Sequence, residues 1–493
     1  VNLDPRTPIL VGVGVAADHS DDPTACDEAS ALMVRAARSA ILDTTSAGMV
    51  NRIGAVGAMG SMAKYADPAR LVMDELGLAS HVRRLRADPG VLQQKVFNWA
   101  CELVHGGMDA VLVVSGEAQY RSQRSRITGV DVATTQQPEA HHPDETWTVG
   151  KGILSAPEMT ARMFDAVQHY AMMEFALARA SGRSMDAHLD VVAALMSRQS
   201  VASVDNADAW KQRAFTADEI RESGPANRMV SWPYAKLHNS QINVNQGAAL
   251  LFTNVGTARA MGVPTDRWIF LRGGVVSNFM QPITARPMLH RAPWVRATSE
   301  AALDLAGLTM DAIDAMELYS CFPVAVQMQA EEMGIDLDER MHSITGGMTF
   351  AGGPFNSFVL HATAAMAQHL RGSDAVNGLV TSISGFVTKH ATAVWSSEPV
   401  DGLRIGDVTA EMETLPWMDV VEGYEGEADV VAATVVHDRA GPTHALVMAE
   451  APASSGGVAR LIARSDDPDT MSAIMTTPDA LTAITVTENS FAL

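Results

Sequence analysis

The chain has 493 residues, 47% of them apolar and 19% charged, with a formal net charge of −21. That length holds two or three domains with a sizeable core, and the apolar fraction is that of a folded globular protein, not a disordered one. The negative charge excludes nucleic acid as a partner, and no apolar run reaches the about 18 residues of a membrane-spanning helix.

The opening stretch "VNLDPRTPILVGVGV" lacks a basic segment followed by an apolar one, so it reads as folded chain and not as a signal peptide. Within it "GVGVAA", residues 12–17, matches a Gly-x-Gly-x-x-Ala dinucleotide fingerprint. A pyrophosphate site needs a helix directly after that turn; "DHSDDP" follows instead, so no Rossmann site is expected. Apolar spacing then predicts a helix over 27–42, a strand over 52–59, a helix over 69–78, a strand over 81–88, a helix over 90–107 and a buried strand over 110–118.

Residues 119–268 carry polar, Pro-containing loops such as "TTQQPEAHHPDETW" and helical stretches such as 156–180, the texture of an insertion that covers a binding site. The adjacent His141 and His142 lack metal-ligand spacing, and no metal site is expected. From residue 294 the first order returns: helix 294–308, strand 313–320, helix 324–335, a glycine-rich loop, helix 356–372 and buried strand 378–386. Local pairs such as "MDELGL" with "AEEMGI" and "VLVVSGEA" with "LVTSISGF" mark a duplication. Alternating strands and helices imply mainly parallel sheets with right-handed crossovers, here two sheets packed around shared central helices.

After residue 400 short β-rich runs appear at 428–438, 443–451, 458–466 and 481–487, predicting a small all-β barrel. Residues 401–493 hold 16 acidic residues, four arginines and no lysine, a net of −12. This is either a solvated face or an acidic surface that docks a protein partner. The three cysteines, Cys26, Cys101 and Cys321, are sparse and odd in number, which fits a reducing cytoplasm and no disulfide framework.

Together "DPRTPILVGVG", "NRMVSWPYAKLHNSQINVNQGAALLFTNVGTARAMGVP", "ELYSCFP", "TFAGGPFNSF" and "GLVTSISGFVTKHA" resemble the thiolase superfamily over about residues 5–400, and most of all its sterol-carrier-type members and thiolase-like acetyl-CoA acetyltransferases. The resemblance implies a duplicated α/β fold, layered α-β-α-β-α. Its parts are an N-terminal half at 1–118, a loop insertion at 119–268, a C-terminal half at 269–400 and an OB-like β domain at 401–493. It also implies acetyl-CoA acetyltransferase activity on a CoA or acyl-CoA ligand, with no covalently bound cofactor.

A thiolase needs a thiolate at the head of its first central helix, where the helix dipole lowers the thiol pKa, and a Gly-His-Pro histidine to activate it. It also needs a second cysteine in a Cys-x-Gly loop as proton carrier, and an Asn or His at an oxyanion hole. This chain departs at each position. Pro89, Gly90 and Val91 occupy the helix head, and Cys101 lies about three turns inside. The histidine loop reads Gly352-Gly353-Pro354, the second cysteine is replaced near Ser382 or Ser384, and Tyr319-Ser320-Cys321-Phe322 carries Tyr319 in place of the His.

The expected site therefore has Tyr319, Ser320, Ser382 and Ser384 at the catalytic positions. Pro89, Gly90, Val91, Gly352, Gly353, Pro354 and Cys321 line the pocket, with loop amides left to face a thioester oxygen. Arg121, Arg124, Arg126 and Lys151 are the candidates for CoA phosphates. Three functions remain open: an acyl-CoA binder without thiolysis, a cysteine-independent carbon–carbon lyase acting through Tyr319 on a lipid or steroid acyl-CoA, and a structural subunit docking a partner through its acidic tail. Family members commonly pair as homodimers.

Overall fold

The structure is a computed structural model describing residues 3–138, 140–150, 152–453, 456–487 and 489–493. The first half runs β1 (Pro8–Ala17), α1 (Ala29–Asp43), β2 (Ile53–Met59), α2 (Pro68–Leu76), β3 (Arg83–Ala87), α3 (Gln93–His105) and β4 (Ala110–Ala118). The insertion follows with α4 (Gln119–Thr128), β5 (Glu145–Trp147), α5 (Ala156–Thr160), α6 (Ala166–Ala180), α7 (Met185–Ala202), α8 (Ala217–Arg221), β6 (Met229–Trp232) and β7 (Tyr234–Ala235). β8 (Asn245–Asn254) and α9 (Val255–Ala260) return to the core. The second half runs β9 (Ile269–Ser277), α10 (Pro293–Ala306), β10 (Ala315–Glu317), α11 (Pro323–Met333), α12 (Gly347–Phe350), α13 (Phe358–Gly372), β11 (Asn377–Ser384), β12 (Lys389–Ser396) and β13 (Ile405–Asp407).

The two half-sheets have the orders β5-β3-β2-β4-β8-β1 and β9-β12-β11-β10. They are not separate, as the sequence suggested. β1 and β9 meet edge to edge at Ile9–Phe270 and Leu10–Ile269, which joins eleven described strands into one sheet that folds over on itself. α3 and α13 touch strands of both halves, while α1 covers the outer face of the first and α10 that of the second. The result is the α-β-α-β-α layering.

Glycines set how closely the outer helices sit. A Cβ at Gly12 or Gly14 would lie 2.1 Å from the Ala40 or Ala36 carbonyl oxygen of α1, and one at Gly273 would lie 2.2 Å from the Ala302 oxygen of α10. "GVGVAA" is thus a helix-packing device, repeated in the second half, and no phosphate loop.

Some elements end early for visible reasons. The 156–180 stretch is two helices, broken near Arg162 at φ 56°. β10 stops at Glu317 because the next amides leave the ladder: Leu318 bonds the His342 carbonyl and Tyr319 bonds Thr381 Oγ1. The edge of β3 is covered by β5, with Arg84 bridging Asp67 and Asp144 at 2.7 and 3.0 Å.

The tail runs α14 (Thr409–Met412), β14 (Asp419–Val420), β15 (Gly426–His437), β16 (Pro442–Pro452), β17 (Val458–Ser465), α15 (Pro468–Thr476), β18 (Ala483–Thr487) and β19 (Ser490–Ala492). β15 pairs with β16 and β18, β17 with β16 and β19, and β18 with β19, which closes a five-stranded barrel. It is not all-β: α15 lies between its third and fourth strands. β6 of the insertion adds to β15 at Trp232–Val435. Arg460, 1% exposed, bonds Glu450 on the neighbouring strand at 2.5 Å and reaches the Arg286 carbonyl of the core at 3.3 Å.

Arg460→Leu leaves Glu450 and two core carbonyls without their donor. It is expected to destabilise the whole chain by about 3 kcal/mol in denaturant unfolding; an unchanged midpoint would show that this clamp contributes nothing.

Candidate functional site

The head of α3 lies where the two halves meet. Gly90 has φ 98°, which ends the turn before the helix, and a Cβ there would lie 2.9 Å from Val149, so the insertion covers this point closely. Residues 90–92 stay outside the helix, which begins at Gln93. Gln93 is 4% exposed, and its amide reads both neighbouring loops. Oε1 accepts from Ser382 Oγ at 3.0 Å, and Nε2 donates to Asn356 Oδ1 at 3.3 Å. Asn356 in turn donates to the Gly60 and Ala87 carbonyls at 3.0 and 3.3 Å. One residue on, Gln94 bonds Asn98 at 2.8 Å, which bonds the Gly274 carbonyl at 3.1 Å.

This is a closed network of amides and one hydroxyl. None of its groups ionises near neutral pH, and Ser382 donates to an amide oxygen, which cannot take its proton. A buried carboxyl, Glu117 at the end of β4, meets this network at the Asn356 backbone amide. Its oxygens accept from the Met62 amide at 3.2 and 3.3 Å, and burial lifts its pKa from 4.5 to about 7.

Most amides of the glycine-rich loop are already engaged within the chain. Gly346 and Gly347 donate to Ser343 Oγ and Thr345 Oγ1 at 3.0 Å, and Met348 donates to Ser320 Oγ at 3.0 Å. Gly353 donates to the Gln241 carbonyl at 2.9 Å. At Gly353, where a histidine was sought, a Cβ would lie 1.8 Å from Ser240 Oγ, and one at Gly347 would lie 1.5 Å from Gln199 Nε2. The space an imidazole would need is filled by the chain itself. At Gly352, φ 112° and Gln246 Oε1 2.3 Å from a Cβ exclude a side chain as well.

Tyr319 and Cys321 are each 8% exposed. The Tyr319 ring stands edge-on to Phe358, its backbone is pinned by Thr381 and Gln329, and its hydroxyl makes no hydrogen bond among the described residues. Burial pushes that phenol well above its usual range, so it can donate a hydrogen bond but not act as a base. Burial pushes Cys321 up to about 12 and raises Cys101 further still; all three cysteines are free and buried. Ser320 is consumed by the Met348 amide, and Ser384 is half-buried at the end of β11. Pro89 and Val91 flank Gly90, and Pro354 opens the turn that the Ser357 amide closes.

The proposed phosphate contacts do not converge. Arg121 holds the Cys26 and Ala133 carbonyls at 3.0 and 2.9 Å, Arg124 holds the Asp21 carbonyl at 3.0 Å, and Arg126 bonds back to Ser122 at 3.3 Å. Lys151 lies outside the described residues. Three cations instead line a cleft of about 530 Å³, Lys211, Arg213 and Lys236, with Glu219, Glu222, Phe215 and Leu237 on the same walls. Arg213 stacks 3.8 Å over Phe215 and pairs with Glu219. Burial, then Lys236 and Arg213, lowers Lys211 to about 8. This cleft adjoins the glycine-rich loop, since the Lys211 amide bonds the Phe350 carbonyl at 2.8 Å.

The sequence reading missed Gln93, Asn356, Glu117 and Lys211. Gln93-Gln94 at a helix head in an apolar run was the one available signal. Among the described residues no group of three His, Cys, Asp or Glu could hold a metal, and no helix is long and apolar enough to cross a membrane.

Two measurements check this site. Ser382→Ala strands the Gln93 carbonyl and is expected to cost about 1–2 kcal/mol; a neutral result in urea unfolding would contradict the network. Glu117 has a folded pKa raised above its unfolded value, so the stability it contributes is present below about pH 4.5 and lost as pH rises through about 7. Melting temperature is therefore expected to fall between about pH 5 and about pH 8 by less in Glu117→Gln than in the parent, and equal falls would contradict the assignment.

No protein-family profile and no curated protein matches the sequence. Among solved structures, the monomeric SCP2-thiolase like protein type 1 of Mycobacterium smegmatis superposes with a TM-score of 0.82 at 23% identity, covering 99% of each chain. The Ltp2-ChsH2(DUF35) aldolase gives 0.59 at 15% identity, over 80% of this chain and 98% of that one. The acetyl-CoA acetyltransferase of Syntrophomonas wolfei gives 0.57 at 16%, over 80% and 100%. With the duplicated halves, the layering and the shared central helices, these similarities establish that the chain has the thiolase-superfamily fold.

Proposed function

We propose that this protein binds CoA or a CoA thioester and does not perform cysteine-based thiolysis. The observation that carries the reading is the Gln93–Ser382–Asn356 network at the head of α3. Groups that neither ionise nor accept a proton stand where thiolysis requires a thiolate and its base. For the nucleotide we favour the cleft of Lys211, Arg213 and Lys236, where Glu219 pairs Arg213 and Glu222 also lines the wall, which leaves Lys211 and Lys236 to meet an anion beside the apolar Phe215 and Leu237. β5 occupies the edge of β3, so we propose that the chain does not form a homodimer through that edge.

A cysteine-independent lyase is the second reading. The free Tyr319 hydroxyl favours it, as a donor to a developing oxyanion. Loss of turnover in Tyr319→Phe, with binding kept, would select it.

Calorimetric titration with CoA, dephospho-CoA and a long-chain acyl-CoA tests the first reading. Saturable binding is expected, weakened about tenfold in Lys211→Met for loss of one charge-assisted contact. CoA-dependent cleavage of a 3-oxoacyl-CoA, or no binding of any of the three ligands, would contradict it.

A further inference from the structure

Lys389 opens β12 and is 2% exposed. Its Nζ donates to the Gly90 carbonyl at 3.4 Å, a long contact that leaves most of its donor capacity unused. No carboxylate pairs with it among the described residues, and its one charged influence is a second cation, Lys95. The side chain lines a cleft of about 290 Å³ with Phe279, Met280 and Trp417 as walls and Asn278 and Glu413 also on the lining. The turn before it is fixed in an uncommon shape. Gly385, Phe386 and Val387 have φ of 56°, 53° and 76°, and the Phe386 and Val387 carbonyls are gripped by Arg286 and Trp294. Such backbone is kept only where surroundings over-determine it, and here it sets Lys389 across from Ser384 and against Gly90.

A lone ammonium is unfavourable in such a place. With no carboxylate paired to it to offset desolvation, the neutral amine gains, and a neutral amine is a nucleophile. We propose that Lys389 condenses with a ketone or aldehyde carried on an apolar chain in this cleft. The amine nitrogen attacks the carbonyl carbon, the C–N bond forms, and the carbonyl oxygen leaves as water with both protons of the neutral amine, giving an imine. Burial lowers the lysine's pKa, in the direction this step needs. The argument stands on the geometry at Lys389 and does not depend on CoA binding elsewhere.

The chain has six lysines, so labelling can be read site by site. Pentane-2,4-dione, which forms an enaminone with an amine and releases water, is the probe, with peptide mass spectrometry as readout on the full chain. Lys389 is expected to be labelled faster than the exposed Lys64 and Lys236, since a lowered pKa leaves more free amine. Lys389→Met, which carries no amine, is expected to show no adduct at this position and unchanged labelling elsewhere. Labelling of Lys389 no faster than Lys64, or confined to Lys211, would overturn the proposal. The probe contains no nucleotide, so its failure would leave the CoA reading untouched, and failure of CoA binding would leave this one.

Discussion

The hydrogen bonds of one buried amide, Gln93, constrain the centre of this molecule. Gln93 heads α3, the helix that touches both half-sheets, and it bonds Ser382 of β11 and Asn356 of the loop before α13. Through Asn356 it also reaches the chain ends of β2 and β3. A fully satisfied polar network in a low-dielectric interior rigidifies what it joins, because each member is costly to strand. The network rivets this junction, and side chains fill the space beside the loops around it. Ser240 fills the space beside Gly353, Gln199 that beside Gly347, and Val149 covers Gly90.

The insertion and the C-terminal barrel complete that closure. β6 extends the barrel sheet, Arg179 reaches the Val430 carbonyl at 2.7 Å, and the Met185 amide bonds Asp479 at 3.0 Å. Arg460 binds the carbonyl of Arg286, and the Arg286 side chain holds the Phe386 carbonyl at 2.6 Å. The barrel is therefore tied to the turn that positions Lys389. The strong acidity of residues 401–493 coexists with one buried, paired arginine at this junction, Arg460, and among the described residues the acidic side chains are mainly exposed.

Much of the fold was readable in the sequence, because it is carried by periodicity and by repetition. The buried strands at 110–118 and 378–386 and the helices at 27–42 and 294–308 follow from their apolar patterns, and their recurrence in one order implied two related halves. What failed was non-local. Nothing in residues 8–17 or 269–277 tells that β1 and β9 join the half-sheets through two residue pairs, or that β6, far upstream, belongs to the barrel's sheet. Helix 156–180 broke at a left-handed Arg162 that no propensity marks. At the candidate site, the absence of a Cys at the head of the 90–107 helix and of a His in Gly352-Gly353-Pro354 was legible residue by residue. The bonds that join Gln93 and Asn356 there were not, since a glutamine's partners are set by tertiary packing. The engagement of most loop amides was hidden for the same reason: a Gly-rich loop looks open until its donors are assigned.

The central claim is that this fold houses no activated thiol. Native-state alkylation with iodoacetamide at neutral pH tests it most directly, with each cysteine followed by mass. Cys26, Cys101 and Cys321 are expected to stay unmodified until the chain is unfolded, because all three are buried and held as neutral thiols. Rapid alkylation of one of them in the folded protein, blocked by prior exposure to an acyl-CoA, would contradict the account.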